Sequence, residues 1–149
     1  MKGFASENFK VRFAGEDDLS ALVTLAEEFM PEEADPKKRI NILKQSLKNP
    51  DYDLLVADVE GKIVGFIDHW IVHEFVHGTK LSYIQNLYVT PNYRRRGIGS
   101  RLLREIIETA KAKGVLEIHI SAEFNNKPAI ELYRKHGFSR EHSQLEMEL

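Results

Sequence analysis

The chain reads as a mixed α/β fold, α+β in its mixture. It has a mixed, mostly antiparallel central sheet of about six to seven strands with helices on both faces. Three observations predict it. Several short runs alternate apolar with polar residues, the period of a half-buried strand. Between them, apolar residues recur every three or four positions, the period of an amphipathic helix. Hairpin signals cluster in the middle of the chain, so the central strands pair antiparallel while the outer ones connect through helices. The element order is β-α-α-β-β-β-α-β-α-β, and one domain, residues 1–149, is the expectation at this length.

Each element has its own signal. Residues 1–7 read as a loose terminus. Phe9, Val11 and Phe13 alternate with Lys10 and Arg12, a first strand. Gly15, Glu16, Asp17 and Asp18 open a helix, with acids where the dipole favours them. Leu19, Leu22, Val23, Ala26 and Phe29 form its apolar face, and Pro31 ends it. A second helix starts near Pro36, carries Ile40, Leu43 and Leu47, and stops at Asn49-Pro50. Leu54 to Val59 and Ile63 to Val72 are strands joined at Glu60-Gly61. Gly78 marks a further hairpin before the strand from Lys80 to Val89. The next helix carries Ile98, Leu102, Leu103, Ile106, Ile107 and Ala110 on one face, and Gly114 closes it. Val115 to Ser121 is a strand, Pro128 to His136 a short helix closed by Gly137, and Leu145 to Leu149 a last strand.

Composition excludes several classes. With 42% hydrophobic and 30% charged residues, this is an ordinary globule rather than a disordered chain. No apolar run has the length of a membrane span, and the N-terminus lacks a signal-peptide apolar region. The absence of cysteine rules out disulfides, thiolate metal sites and a cysteine nucleophile, and fits a cytoplasmic setting. A net charge of -2 argues against broad nucleic-acid binding. The charge is uneven. Residues 51–90 carry six acids against Lys62 and Lys80, a net of -4, whereas residues 91–149 carry eleven Lys and Arg against eight acids, a net of +3. A basic half suits an anionic ligand and an acidic half a cationic one, though both are also ordinary surface decoration.

The chain is organised around the stretch from Leu87 to Gly114: a strand, an arginine-rich turn with Gly97 and Gly99, and a helix N-terminus. Unpaired N–H groups, the helix dipole and glycine's close approach make such a junction an anion site. A dinucleotide fingerprint would need glycine where Leu102 stands, and the closing Gly-Lys-Ser/Thr of a P-loop is absent. Two blocks are more specific. Arg94-x-x-Gly97-x-Gly99 follows Leu87-x-Val89-x-Pro91, and downstream lies Asn126-x-x-Ala129-x-x-x-Tyr133-x-x-x-Gly137-Phe138. Together they resemble the pyrophosphate-binding signature and the following block of the GNAT superfamily of N-acetyltransferases. The resemblance covers roughly residues 53 to 138 well and the first third only in its order of elements.

That resemblance implies an acetyl-CoA-dependent transfer of an acetyl group to a primary amine, by direct attack on the thioester. Acetyl-CoA would be a cosubstrate, with no metal. Arg94, Arg95, Arg96, Gly97, Ile98, Gly99 and Ser100 would hold the pyrophosphate, largely through backbone N–H groups. In the fold it implies, the fourth strand splays from the next one. The pantetheine arm then pairs with the fourth strand around Leu87, Tyr88 and Val89. Backbone N–H groups there would also serve the oxyanion. Tyr133 would protonate the departing thiolate, against the plainer reading of a tyrosine packing its helix onto the sheet. Asn126 would bond the pantetheine arm, cap its helix, or do both.

The general base is the open role. Many members place a carboxylate on the fourth strand, where this chain has Gln85 and Asn86. Glu74, Asp68 and Glu123 are the carboxylate candidates, a water-mediated base is another, and Gln85 or Tyr83 could orient the amine. His69, His73 and His77 invite a metal reading, but on a strand His69 and His73 stand about 13 Å apart, too far for one ion. Arg94 to Arg96 without an aromatic platform is a small footprint for nucleic acid. The acids Glu27, Glu28, Glu32, Glu33 and Asp35 border the acceptor side in the family. They suit a polyamine, an aminoglycoside-like amine or a lysine, with a protein N-terminus also open, and equally read as a solvated helix end. The partner is thus a small-molecule or peptide amine, with no nucleic acid and no membrane; a homodimer stays open. The rival reading is a non-catalytic acyl-CoA-binding module of the same fold.

Overall fold

The computed structural model describes residues 8–149. The expected loose terminus, residues 1–7, lies outside them. The elements are β1 (Phe9–Phe13), α1 (Leu19–Phe29), α2 (Pro36–Leu47), β2 (Tyr52–Val59), β3 (Lys62–Glu74), β4 (Thr79–Val89), α3 (Ile98–Ala112), β5 (Glu117–Ile120) and α4 (Lys127–Lys135). A 3-10 turn at Glu16–Asp18 precedes α1, so that helix starts later than its acidic opening implied. β1 to β4 pair antiparallel in chain order, and β5 joins β4 in parallel.

Alternation along the strands sends two apolar sets to opposite faces. Leu55, Ala57, Val64, Ile67 and Ile84 pack under Ile98, Leu102, Leu103 and Ile106 of α3. Leu54, Val56, Phe66 and Tyr88 pack against Leu22 and Leu25 of α1. The buried stripe of α1 therefore runs through Leu25, which the sequence reading left out. Gly65 lets β3 pass close beneath α3: a Cβ there would lie 2.8 Å from the Tyr88 carbonyl oxygen and 3.4 Å from Leu102.

Arg12 ties β1, β2 and the start of α1 together. Its Nη1 and Nη2 donate to Asp18 at 2.8 and 3.0 Å, and its Nε donates to Asp58 at 3.1 Å. Asp18 also accepts the Gly15 N–H at 2.8 Å. The Arg12 hydrogen bonds, above all, hold the Asp18 carboxyl below the ordinary carboxylate range.

The strand expected at Leu145 to Leu149 does not form, and among the described residues the sheet has five strands rather than six or seven. Alternation specifies which face a side chain takes, but a strand also needs a neighbouring edge for its N–H and C=O groups. Among the described residues, 140–149 pair with no edge, and Leu145, Met147 and Leu149 are exposed.

Candidate active site

β4 and β5 part company at a defined point. Their pairing runs from Leu81↔Glu117 to Ile84↔Ile120 and stops, while β4 continues to Val89. The register against β3 shifts at the same place. Asn86 faces Asp68 and Ile84 faces His69, so Gln85 is an extra residue, a β-bulge. Beyond the bulge the backbone orientation is fixed by one hydrogen bond. Thr90 N–H donates to the Val64 carbonyl at 2.8 Å, so Thr90 turns toward β3. By alternation Tyr88 does the same, and the N–H and C=O groups of Leu87 and Val89 point to the side that β5 has left.

The turn after β4 leads straight into the α3 N-terminus. Arg95 and Gly97 both have positive φ, 63° and 82°. Gly97 is the N-cap of α3, and no atom lies within 4 Å of where its Cβ would be. No protein neighbour requires glycine at this position, so within the chain itself it is the left-handed backbone that calls for it. The first intrahelical bond runs from Arg101 N–H to the Gly97 carbonyl at 3.0 Å. The N–H groups of Ile98, Gly99 and Ser100 precede it and emerge from the helix end toward the same region.

The arginine side chains have other contacts. Arg94 Nε donates to the Val89 carbonyl at 2.7 Å, with its guanidinium 5.5 Å from the Tyr88 ring centroid. Arg96 lies 4.9 Å over the Tyr93 ring. Arg95 is exposed.

α4 closes the far side of the opening. The Asn126 side chain caps it, accepting the Ala129 N–H at 3.3 Å. Tyr133 packs against the α3-side core, edge-on to Phe138 with centroids 6.1 Å apart. Burial raises its phenol above the ordinary tyrosine value, so it keeps its proton. Ser100 Oγ and His136 Nε2 lie 2.8 Å apart, joining the first turn of α3 to the end of α4. Burial, with Arg104 and Lys135 nearby, lowers His136 and keeps it neutral.

The opposite face, beside α1 and α2, carries an aromatic shelf. Tyr52 and Trp70 lie 4.8 Å apart, and Tyr83 stacks on His119 at 4.8 Å with 17° between ring planes. His119 Nε2 is 3.0 Å from Glu117 Oε1. The pair Tyr83↔His119 stands one rung before the strands separate. Neither Gln85 nor Asn86 is buried. Glu74, at the β3–β4 hairpin, bonds His77 and the Val76 N–H, and Glu123 is exposed in the loop before α4. Asp68 is buried, beneath the bulge.

Three features escaped sequence reasoning. One is the bulge, whose signal was present: the core positions Ile84 and Leu87 are three apart, out of step with a period of two. Another is the link from Ser100 to His136. The third is a buried row on the α3 face. His69 Nδ1 lies 2.8 Å from Ser82 Oγ, His69 Nε2 lies 2.8 Å from Asp53, and Lys113 pairs with Asp53 at 2.7 Å. These are the spacings of a serine-hydrolase triad, but Ser82 and His69 have no exposed surface, so no substrate reaches the hydroxyl. His73 pairs with Asp51 at 3.3 Å, so the three spaced histidines have separate carboxylate partners. Among the described residues no group of three His, Asp or Glu side chains could hold a metal ion, and no helix is long and apolar enough to cross a membrane.

Residues 19–138 match the acetyltransferase (GNAT) family. An uncharacterised N-acetyltransferase of Methanocaldococcus jannaschii is 35% identical over 100 residues, covering 64% of this chain and 42% of that one. The chain thus spans under half the length of that relative. Thialysine N-epsilon-acetyltransferase of Sus scrofa is 26% identical over 141 residues, 85% of this chain and 82% of that one. The solved structure of an aminoglycoside acetyltransferase from an uncultured soil metagenomic sample, in complex with sisomicin, superposes with a TM-score of 0.82. It is 25% identical, and 95% of each chain is covered.

Proposed function

The chain belongs to the acetyltransferase (GNAT) family, and we propose that it moves an acetyl group from acetyl-CoA to a primary amine by direct attack on the thioester. One observation carries this reading. β4 runs on to Val89 after β5 has left it, and the first turn of α3 lies beside its end, with a Cβ position at Gly99 3.8 Å from Val89 Cγ2. An extended amide-bearing arm fits the first and a pyrophosphate the second. Leu87 and Val89 take the arm, whereas the Tyr88 main chain faces β3 and does not. The turn from Arg94 through Arg95, Arg96, Gly97, Ile98 and Gly99 to Ser100 takes the phosphates, and Asn126 borders the arm. Tyr133, kept protonated by burial, is the acid for the departing thiolate.

The amine approaches from the aromatic shelf. Because β4 carries no acid, we assign the base to His119. With Nε2–H given to Glu117, Nδ1 holds the lone pair that takes the ammonium proton. The sealed Ser82 hydroxyl cannot serve as an acyl carrier.

The acceptor is a small amine or a lysine-like side chain. The acidic connection after α1 argues for this less than its composition implied, because three of its acids serve the fold. Glu27 pairs with Arg39 at 2.7 Å, Glu28 accepts from Thr90 at 2.8 Å, and Asp35 caps α2 through Lys37 N–H. The aromatic shelf suits a cation on an apolar stem. The relatives that act on a lysine analogue and on aminoglycosides, as their names say, agree with this class.

A thiol-release assay with acetyl-CoA over a panel of polyamines, aminoglycosides, lysine analogues and N-terminal peptides tests the reading. CoA release with at least one amine is expected. Tight acetyl-CoA binding with no release on any amine would instead establish the acyl-CoA-binding module, which the carboxylate-free β4 favours.

A further inference from the structure

Asp68 is a carboxylate buried at 7% exposure in the middle of the sheet, a costly place for charge. Burial pushes its carboxyl up, against the pull of its hydrogen bonds. Three donors converge on it. Tyr52 OH donates at 2.5 Å, Asn86 N–H at 2.9 Å and Asn86 Nδ2 at 3.1 Å.

The Asn86 N–H explains the arrangement. In a regular antiparallel ladder the main-chain N–H of one strand meets the carbonyl of its neighbour. Here the extra residue Gln85 displaces Asn86 from that register, and an unpaired N–H would remain inside the sheet. The Asp68 side chain accepts it from the β3 side. The Asn86 amide binds the same carboxylate, so Asn86 is gripped by both side chain and main chain. Tyr52, held on the Trp70 ring, fixes the second oxygen.

We infer that Asp68, backed by Tyr52, is a positioning residue: it clamps the β4 bulge at Asn86 and so aims the Leu87–Val89 main chain into the cleft. The clamp stands one residue before Leu87, at the point where β4 and β5 separate. It needs acceptors, not a proton-accepting group. This role rests on the acetyl-CoA reading for its catalytic consequence, and on the bulge geometry alone for its structural one.

The test compares Asp68→Asn, Asp68→Ala and Tyr52→Phe with the wild type. Asparagine keeps one acceptor oxygen for the Asn86 N–H, whereas alanine keeps none. Expected is a graded loss of kcat, several-fold for Tyr52→Phe, about 10-fold for Asp68→Asn and about 100-fold for Asp68→Ala, the scale of a misplaced reacting group. The KM for the amine stays near wild type throughout. Amide hydrogen exchange at Asn86 and Tyr88, whose N–H groups face β3, should rise in the same order when read without substrate. Equal and complete loss of kcat in Asp68→Asn and Asp68→Ala, with unchanged exchange, would make Asp68 the base and overturn the clamp. Wild-type exchange at Asn86 in Asp68→Ala would overturn it as well. If the wild type releases no CoA with any amine, the proposed function fails, and the exchange measurement still decides the clamp. Tyr52→Phe, which keeps the ring packing, covers the case in which Asp68→Ala does not fold.

Discussion

Gly97→Ala tests the turn that the whole reading depends on. Gly97 sits at φ 82° and ψ 5° as the N-cap of α3, and nothing lies within 4 Å of the position its Cβ would take. The cost of the added methyl is therefore conformational, about 1–2 kcal/mol for a non-glycine residue in the left-handed region. It can surface in two ways. If the turn keeps its shape, the protein loses that stability, and a chain of this size melts about 2–8 °C lower. If the turn relaxes, the N–H groups of Ile98, Gly99 and Ser100 swing away from the phosphates. The same free energy then weakens acetyl-CoA binding about 5- to 30-fold. Calorimetric melting and titration calorimetry with acetyl-CoA, run on the same preparations, capture both. Gly97→Asn should lie between alanine and wild type, because asparagine tolerates this region better. An alanine variant with both Tm and Kd at wild-type values would refute the argument that this backbone conformation builds the phosphate site.

Three further outcomes are expected. Tyr133→Phe should lower turnover by about 10²-fold or more while acetyl-CoA affinity stays constant; unchanged turnover would remove the phenol from the mechanism. His119→Gln should lower kcat by about 10²-fold with acetyl-CoA binding intact, and a variant as fast as wild type would return the base to ordered water or another group. Arg12→Ala leaves Asp18 and Asp58 without their guanidinium donor, each keeping one main-chain N–H, and a loss of about 1–3 kcal/mol is expected in denaturant melts. The pH dependence gives the sign. Because the Asp18 carboxyl is held low in the fold, its stabilisation is complete above the ordinary carboxylate range and disappears as pH falls through the lowered value. The Arg12→Ala variant should therefore converge on wild type in acid, and a constant gap down to pH 2 would contradict the assignment.

Much of this protein is written locally. Period-two and period-3.6 patterns place β1 to β4 and all four helices within a few residues, because each element reports its own buried face. The turn from Arg94 to Ser100 and the block from Asn126 to Phe138 are legible for a similar reason. A positive φ and an unpaired helix end are short-range requirements, met by residues close in sequence. The core position Leu25 and the late start of α1 were less legible, since helix ends answer to tertiary packing as much as to capping residues.

What only the tertiary structure decided is pairing. Leu145 to Leu149 has a strand's alternation and no partner edge, so it forms no strand. Gln85 and Asn86 read as an acid-free gap in a strand. In the fold they are a bulge, clamped by Asp68 from a neighbouring strand. His119 reads as one polar residue in a short alternating run. Stacked on Tyr83 and bonded to Glu117 beside the opening, it becomes a candidate base. The physical reason is common to all three. A side chain's period states which face it takes, whereas its partner is chosen by register between segments far apart in sequence, and register is a property of the assembled sheet.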